Sequence, residues 1–155
     1  MALNLFRAIS ATIRFMRAQS LLGRGEYEAA WQQLASLHPD TEGLPVQNTF
    51  RVEVDLLSSL AAFRLGDWNL SLFHAHAAAA GLRRDPSRIT PTRDYLLYYC
   101  RNLIEHASWR LGSRPEDSTG LPDVSFSNLR IDRVPRDIRA RFPVEDPSLA
   151  SAAHV

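Results

Sequence analysis

The sequence predicts an all-α protein of about five helices, paired as antiparallel hairpins and followed by an extended, Pro- and Arg-rich C-terminal tail. Three observations carry this expectation. Apolar residues recur at three- and four-residue intervals between breaks at Gly23 to Gly25, Gly66 and Gly112. The breaks at Gly25 and Gly66 stand 41 residues apart, and each is followed by an acid and an aromatic, in GRGEYEAAWQQL and RLGDWNLSLFHA. Beyond Gly112 the texture changes. Residues 113–155 hold five prolines and few long apolar runs, so the helical domain is expected over 1–112 and the tail over 113–155.

The first helix is expected from about Leu3 to Leu22, ending where Gly23-Arg24-Gly25 admits the left-handed conformation that closes a helix. Phe6, Ile9, Ile13 and Met16 keep three-four spacing and read as the core-facing stripe, which leaves Arg7, Arg14, Arg17 and Arg24 to solvent. The second helix, Tyr27 to Leu37, is alanine-rich and is expected to stop before Pro39, with HPDTEGLPVQN as a loop. The third, about Val46 to Leu65, is apolar on most sides through Val52, Val54, Leu56, Leu57, Leu60, Ala61 and Phe63, so it should be packed on both flanks. The fourth, Trp68 to Leu82, follows Gly66 at once. RRDPSRIT leads to the fifth, which starts at Pro91 behind Thr90 as cap and runs to about Leu111. In the tail, Val124, Phe126, Leu129 and Ile131 suit one short strand, and VSFSNLRIDRV is also suited to folding back over the last helices or docking on another subunit.

With Gly25 set over Gly66, Gly25-Glu26-Tyr27 matches Gly66-Asp67-Trp68, Ala18 matches Ser59, and Ala30, Leu34 and Leu37 match Ser71, Ala75 and Ala78. Each pairing has a geometric reason: glycine ends one helix, the acid favours the N-terminus of the next, and the aromatic closes over the turn. This pattern resembles the tetratricopeptide repeat, which implies a right-handed stack of antiparallel hairpins. The matching positions are Ala18, Gly25, Tyr27 and Ala30 in one unit and Ser59, Gly66, Trp68, Ser71, Ala75 and Ala78 in the next. A partial third unit ends at Arg110-Leu111-Gly112, with Arg114 where the aromatic belongs and Glu105 at a usually small position. The resemblance covers roughly residues 10 to 112, and its spacings of 41 and 46 residues exceed the family's repeat of about 34.

At 155 residues, with 45% hydrophobic and 23% charged side chains, the composition is that of one soluble globular domain. Its single cysteine, Cys100, excludes an intrachain disulfide, a CxxC pair and a multi-cysteine zinc site. The net charge of +1 supplies no overall field towards nucleic acid, and all 18 basic side chains are arginine. No run reaches a membrane-spanning length of about 18 apolar residues. The N-terminal stretch, with four arginines and no acid before Glu26, also resembles a mitochondrial presequence or a surface-lying amphipathic helix.

Catalytic and metal motifs are missing. His74 and His76 lie about 200° apart around a helix, and Cys100 and His106 about 240° apart, so neither pair converges locally. Glu26 and Glu28 sit at a helix start, where the dipole accounts for them. No phosphate loop, HExxH or GxSxG is present.

Stacked hairpins leave a curved groove suited to an extended peptide or a partner helix. The resemblance implies that first-helix residues line it: Gln19 in unit one, Glu53, Leu60, Phe63 and Arg64 in unit two, and Tyr99, Asn102, His106, Trp109 and Arg110 in unit three. Two basic clusters stand apart, Arg83, Arg84, Arg88 and Arg93 in one loop, and Arg130, Arg133, Arg136 and Arg139 in the tail. In a polyproline II strand around Pro135 the tail arginines would share one edge, which suits an acidic protein surface, an RNA backbone or lipid headgroups.

These readings converge on a non-catalytic, cytoplasmic interaction module: an adaptor, chaperone or assembly factor that holds a protein partner and needs no cofactor or metal. The alternatives are a structural or accessory subunit of a larger complex, in the mitochondrial matrix or membrane-peripheral, and an RNA-binding helical repeat. A small enzyme trails both. Nucleic acid is disfavoured as a partner, a membrane enters only peripherally, and the sequence does not set the oligomeric state.

Overall fold

The computed structural model describes residues 2–84, 90–112 and 124–144; Arg88, Arg114 and the remainder of the 113–155 tail lie outside them. The described residues are all-α, with no strand. Helices α1 (Ala2–Gly23), α2 (Tyr27–Glu42), α3 (Thr49–Arg64), α4 (Trp68–Arg84) and α5 (Thr90–Arg110) are followed by 3-10 turns at Phe126–Asn128 and Ile131–Arg133 and by the short helix α6 (Arg136–Arg141). Each of α1 to α5 packs on its neighbour in sequence, and α3 also touches α1 and α5. No helix among the described residues is long and apolar enough to cross a membrane.

The reversals from α1 to α2 and from α3 to α4 come from glycine. Gly25, Gly66 and Gly112 have φ of 75°, 78° and 83°, the left-handed region that side chains resist. At the first, Gly25 N–H donates to Leu22 O (3.1 Å) and Glu26 N–H to Leu21 O (2.9 Å). At the second, Gly66 N–H donates to Phe63 O (3.1 Å) and Asp67 N–H to Ala62 O (2.9 Å). Both turns are the same Schellman closure, which satisfies the last carbonyls of one helix while launching the next. Asp67 caps α4 by accepting from Leu70 N–H at 3.2 Å, whereas Glu26 makes no such bond and pairs with Arg24 at 3.3 Å. Trp68 closes over its turn against Phe63, ring centroids 5.2 Å apart.

The repeated small residues lie where the helices meet. Ala18, Ala30, Leu34 and Leu37 are fully buried, as are their counterparts Ser59, Ser71, Ala75 and Ala78. Ser59 Oγ donates to Ser71 O (2.8 Å) and Ser71 Oγ to Ser59 O (3.1 Å), so both hydroxyls are satisfied without water. α3 runs between α2 and α4 and buries Val52, Val54, Leu56, Leu57, Ala61 and Ala62.

Several sequence expectations are corrected. The stripe Phe6, Ile9, Ile13 and Met16 faces outward and is 51–74% exposed; the core side of α1 carries Ala11, Phe15, Ala18 and Leu21. Close approach of α1 to its neighbours selects the small residues and turns the bulky ones away. α2 continues through Pro39 to Glu42, because Arg14 of α1 holds its last turn through Ser36 O (2.8 Å) and the Asp40 carboxylate (2.8 Å). α3 begins at Thr49 rather than near Val46, capped by Asn48 Oδ1, which accepts from Arg51 N–H at 3.2 Å.

The tail strand is absent: Phe126–Asn128 and Ile131–Arg133 are 3-10 turns. Nor is there a polyproline edge, since Arg136 and Arg139 belong to α6. The described tail lies against α5. Tyr95 Oη donates to Phe142 O (2.7 Å), Arg101 Nη1 to Val124 O (3.0 Å), and the Phe142 ring meets Tyr99 at 5.3 Å. Phe142 is 1% exposed and joins the main core, a burial worth about 2 kcal/mol relative to leaving the ring in water.

Gly81 of α4 is a point of close approach of a different kind. A Cβ there would stand 2.5 Å from both Val46 O and a Val52 methyl, contacts made by backbone and a stiff side chain. Gly81→Ala is therefore expected to lower unfolding stability by about 1–3 kcal/mol. Gly43→Ala, with φ of −79° and open space around it, should change stability by no more than about 0.5 kcal/mol. Urea unfolding of the two variants checks the contrast, and equal midpoints would refute the packing at Gly81.

Candidate functional site

Because α1, α3 and α5 touch in series, their exposed sides form one wall system, and a groove of about 810 Å³ lies along it. α1 contributes Gln19 and Leu22, with Tyr27 where α2 begins. α3 contributes Leu57, Leu60, Phe63 and Arg64. From α5 come Tyr98, Tyr99, Asn102, Leu103, Glu105 and His106. The tail closes one side with Ala140, Arg141 and Pro143.

Seven residues expected at a groove thus share it: Gln19, Leu60, Phe63, Arg64, Tyr99, Asn102 and His106. Three do not. Glu53 is half-buried two turns nearer the start of α3, outside the lining. Trp109 is 65% exposed at the far end of α5, and the Arg110 guanidinium lies over both Trp68 (5.6 Å) and Trp109 (5.2 Å). Those three side chains form a separate stack beside the Gly66 turn. Arg130, Arg133 and Arg136 are exposed away from the groove, while Arg139 is half-buried with its Nε enclosed.

Helical periodicity would have found three residues the sequence reading missed. Leu57 lies one turn before Leu60, and Tyr98 and Glu105 flank Asn102 at four and three residues. The tail residues carried no such signal.

The groove floor is apolar and tyrosine-rich, and its rim is basic. Burial pushes the Tyr99 phenol well above its ordinary range, so the hydroxyl stays protonated at every physiological pH. Arg64 forms no ion pair among the described residues, whereas Glu105 is neutralised by Arg101 at 3.0 Å and Arg141 is held by Asp137 at 3.3 Å. An apolar ligand with a carboxylate fits this distribution.

A second polar cluster joins α2, α3 and α4. His74 Nδ1 donates to Asp55 Oδ1 (2.9 Å), the His38 and His74 rings stack at 4.7 Å, and His38 Nε2 lies 3.1 Å from Ser58 Oγ. Trp31 meets both imidazoles edge-on, with centroids at 6.0 and 5.8 Å. The residue types are those of a hydroxyl nucleophile with its base, but the geometry is not. Ser58 is 0% exposed, and the acid orients the other histidine rather than the one beside the hydroxyl. The cluster is a satisfied polar contact among three helices. His76, two residues from His74, points outward as its helical offset requires. No group of three or more metal-ligating side chains occurs among the described residues.

No protein-family model matches the chain, and no curated protein or solved structure is significantly similar to it.

Two expected outcomes follow from these environments. Cys100 is fully buried, and desolvation pushes its thiol up to about 12, so thiolate is nearly absent at neutral pH. Native protein should resist alkylation by iodoacetamide and react once unfolded in urea; mass spectrometry reporting ready native labelling would contradict the burial. Burial, reinforced by the neighbouring His74, lowers the His38 pKa below 6.5, with Asp55 and Glu42 opposing. Below pH 6.5 the unfolded chain therefore takes up more protons at this position than the folded one. Stability should fall as the solution is acidified through and below that pH, and His38→Gln should flatten the slope. Burial and Arg83 also lower His76, which adds the same sign, so the comparison is made between wild type and His38→Gln in denaturant titrations at several pH values.

Proposed function

We propose that this protein is a non-catalytic interaction module, a stack of tetratricopeptide-like hairpins that takes a peptide or partner helix into the groove of α1, α3 and α5. The identical Schellman turns at Gly25 and Gly66, with matched small residues at both helix contacts, support the hairpin reading. One observation carries the functional reading: α1, α3 and α5 line a single groove of about 810 Å³, with an apolar floor and, at its rim, the Arg64 guanidinium, which forms no ion pair among the described residues. The partner segment presents leucine- or aromatic-type anchors beside an acidic residue or a chain-terminal carboxylate. The module acts as an adaptor, chaperone or assembly factor in the cytoplasm.

Trp109 lies outside the groove, and Tyr99, which lines it, is also buried against Phe142, so neither separates groove contact from core packing. Arg64 and His106 are exposed groove residues whose replacement leaves the core intact. Affinity capture with the full chain, followed by titration of the captured partner, should show at least a ten-fold weaker complex for Arg64→Glu/His106→Glu, about 1.4 kcal/mol or more, at unchanged helicity. An unchanged dissociation constant would remove the groove assignment.

A further inference from the structure

Five of the nine large hydrophobic side chains exposed among the described residues lie on the outward face of α1. Leu5, Phe6, Ile9, Ile13 and Met16 are 64, 74, 51, 51 and 62% exposed. At about 100° per residue they fall within one arc of about 100°, opposite the buried Ala11, Phe15, Ala18 and Leu21. Every residue from Asn4 to Ile9 is exposed, so the first turns of α1 project past the end of α2. The same helix is basic, with Arg7, Arg14, Arg17 and Arg24 and no acid before Glu26. Arg14 and Arg24 are held by Asp40 and Glu26, while Arg7 and Arg17 form no ion pair among the described residues.

We propose that α1 docks the protein on the surface of an anionic lipid bilayer. Charge selects this occupant. A second copy laid along the stripe would bring the Arg7 and Arg17 of two helices together with no acid on either helix to neutralise them. A headgroup layer rich in phosphatidylserine supplies the missing negative charge, and the acyl boundary takes the apolar arc. The two contributions reinforce each other, and neither suffices alone. Because the stripe lies on the side of α1 that faces away from the core, docking leaves the helical packing untouched. The helix lies in the interface and does not span it.

Co-sedimentation of the full chain with vesicles tests the assignment. Binding is expected to phosphatidylcholine vesicles containing phosphatidylserine, at most weakly to phosphatidylcholine alone, and is expected to fall as salt rises. Ile9→Asp and Ile13→Asp should each reduce the lipid partition coefficient about ten-fold or more, and Arg7→Gln/Arg17→Gln should reduce it on anionic vesicles only. All are exposed positions, and circular dichroism checks that helicity is retained. The groove variant Arg64→Glu/His106→Glu should bind vesicles like wild type, so loss of the groove reading and loss of this one are separable. Absence of binding to anionic vesicles, or wild-type binding by the stripe variants, overturns the proposal. So does a wild-type dimer in light scattering that Ile13→Asp makes monomeric without any vesicle binding, which would assign the stripe to a second copy.

Discussion

Five residues upstream of Glu26 and of Asp67, a carbonyl in a helix's last turn accepts the amide of the residue just before the next helix, across a glycine at positive φ. That six-to-one hydrogen bond is what the architecture rests on. It reverses the chain within three residues, so that α1 packs on α2 and α3 on α4. Packing at that distance requires small side chains at the contact, and Ala18 and Ala30 in one hairpin and Ser59 and Ser71 in the next meet the requirement. Alanine does so at no polar cost. The serines do so by exchanging hydroxyl bonds with each other's backbone, which keeps two buried oxygens satisfied in a contact too tight for water.

Local chemistry was readable in the sequence, and chemistry decided by tertiary contact was not. The glycine turns and the order of five helices follow from backbone preference and helical phase, both encoded within a few neighbours, whereas the groove residues came from the resemblance to a repeat, and seven of those ten line the groove. The face of α1 does not. Ranking by hydrophobicity selects Phe6, Ile9, Ile13 and Met16, but a closely packed helix pair prefers Ala11 and Ala18, with Phe15 as the one large residue that reaches Phe50. Pro39 misleads for a related reason: a proline ends a helix only when nothing else holds the following turn, and here Arg14 reaches it from another helix. The tail arginines match a threefold repeat in sequence, yet the apolar residues between them, Val134 and Ile138, fold that stretch onto the core instead.

α5 links the bundle to the tail and to the groove. One side of it offers Tyr95, Tyr98 and Tyr99, and the tail answers with Phe126 on Tyr98 and Phe142 on Tyr99. The Tyr95 phenol completes the joint by bonding the Phe142 carbonyl, so an aromatic face is buried with its polar end satisfied. Three tyrosines within five residues are thereby explained as an adhesive strip rather than as a reactive centre. The same helix presents Asn102 and His106 to the groove, so groove wall and tail attachment share one element.

The chain supplies one jaw of its own groove. Ala140 and Pro143 bracket the anchor at Phe142, so the cleft's gauge is set partly by how firmly a single ring seats and only partly by helix spacing. Trimming that ring would therefore alter the width of the cleft while leaving every side chain contributed by α1, α3 and α5 in place.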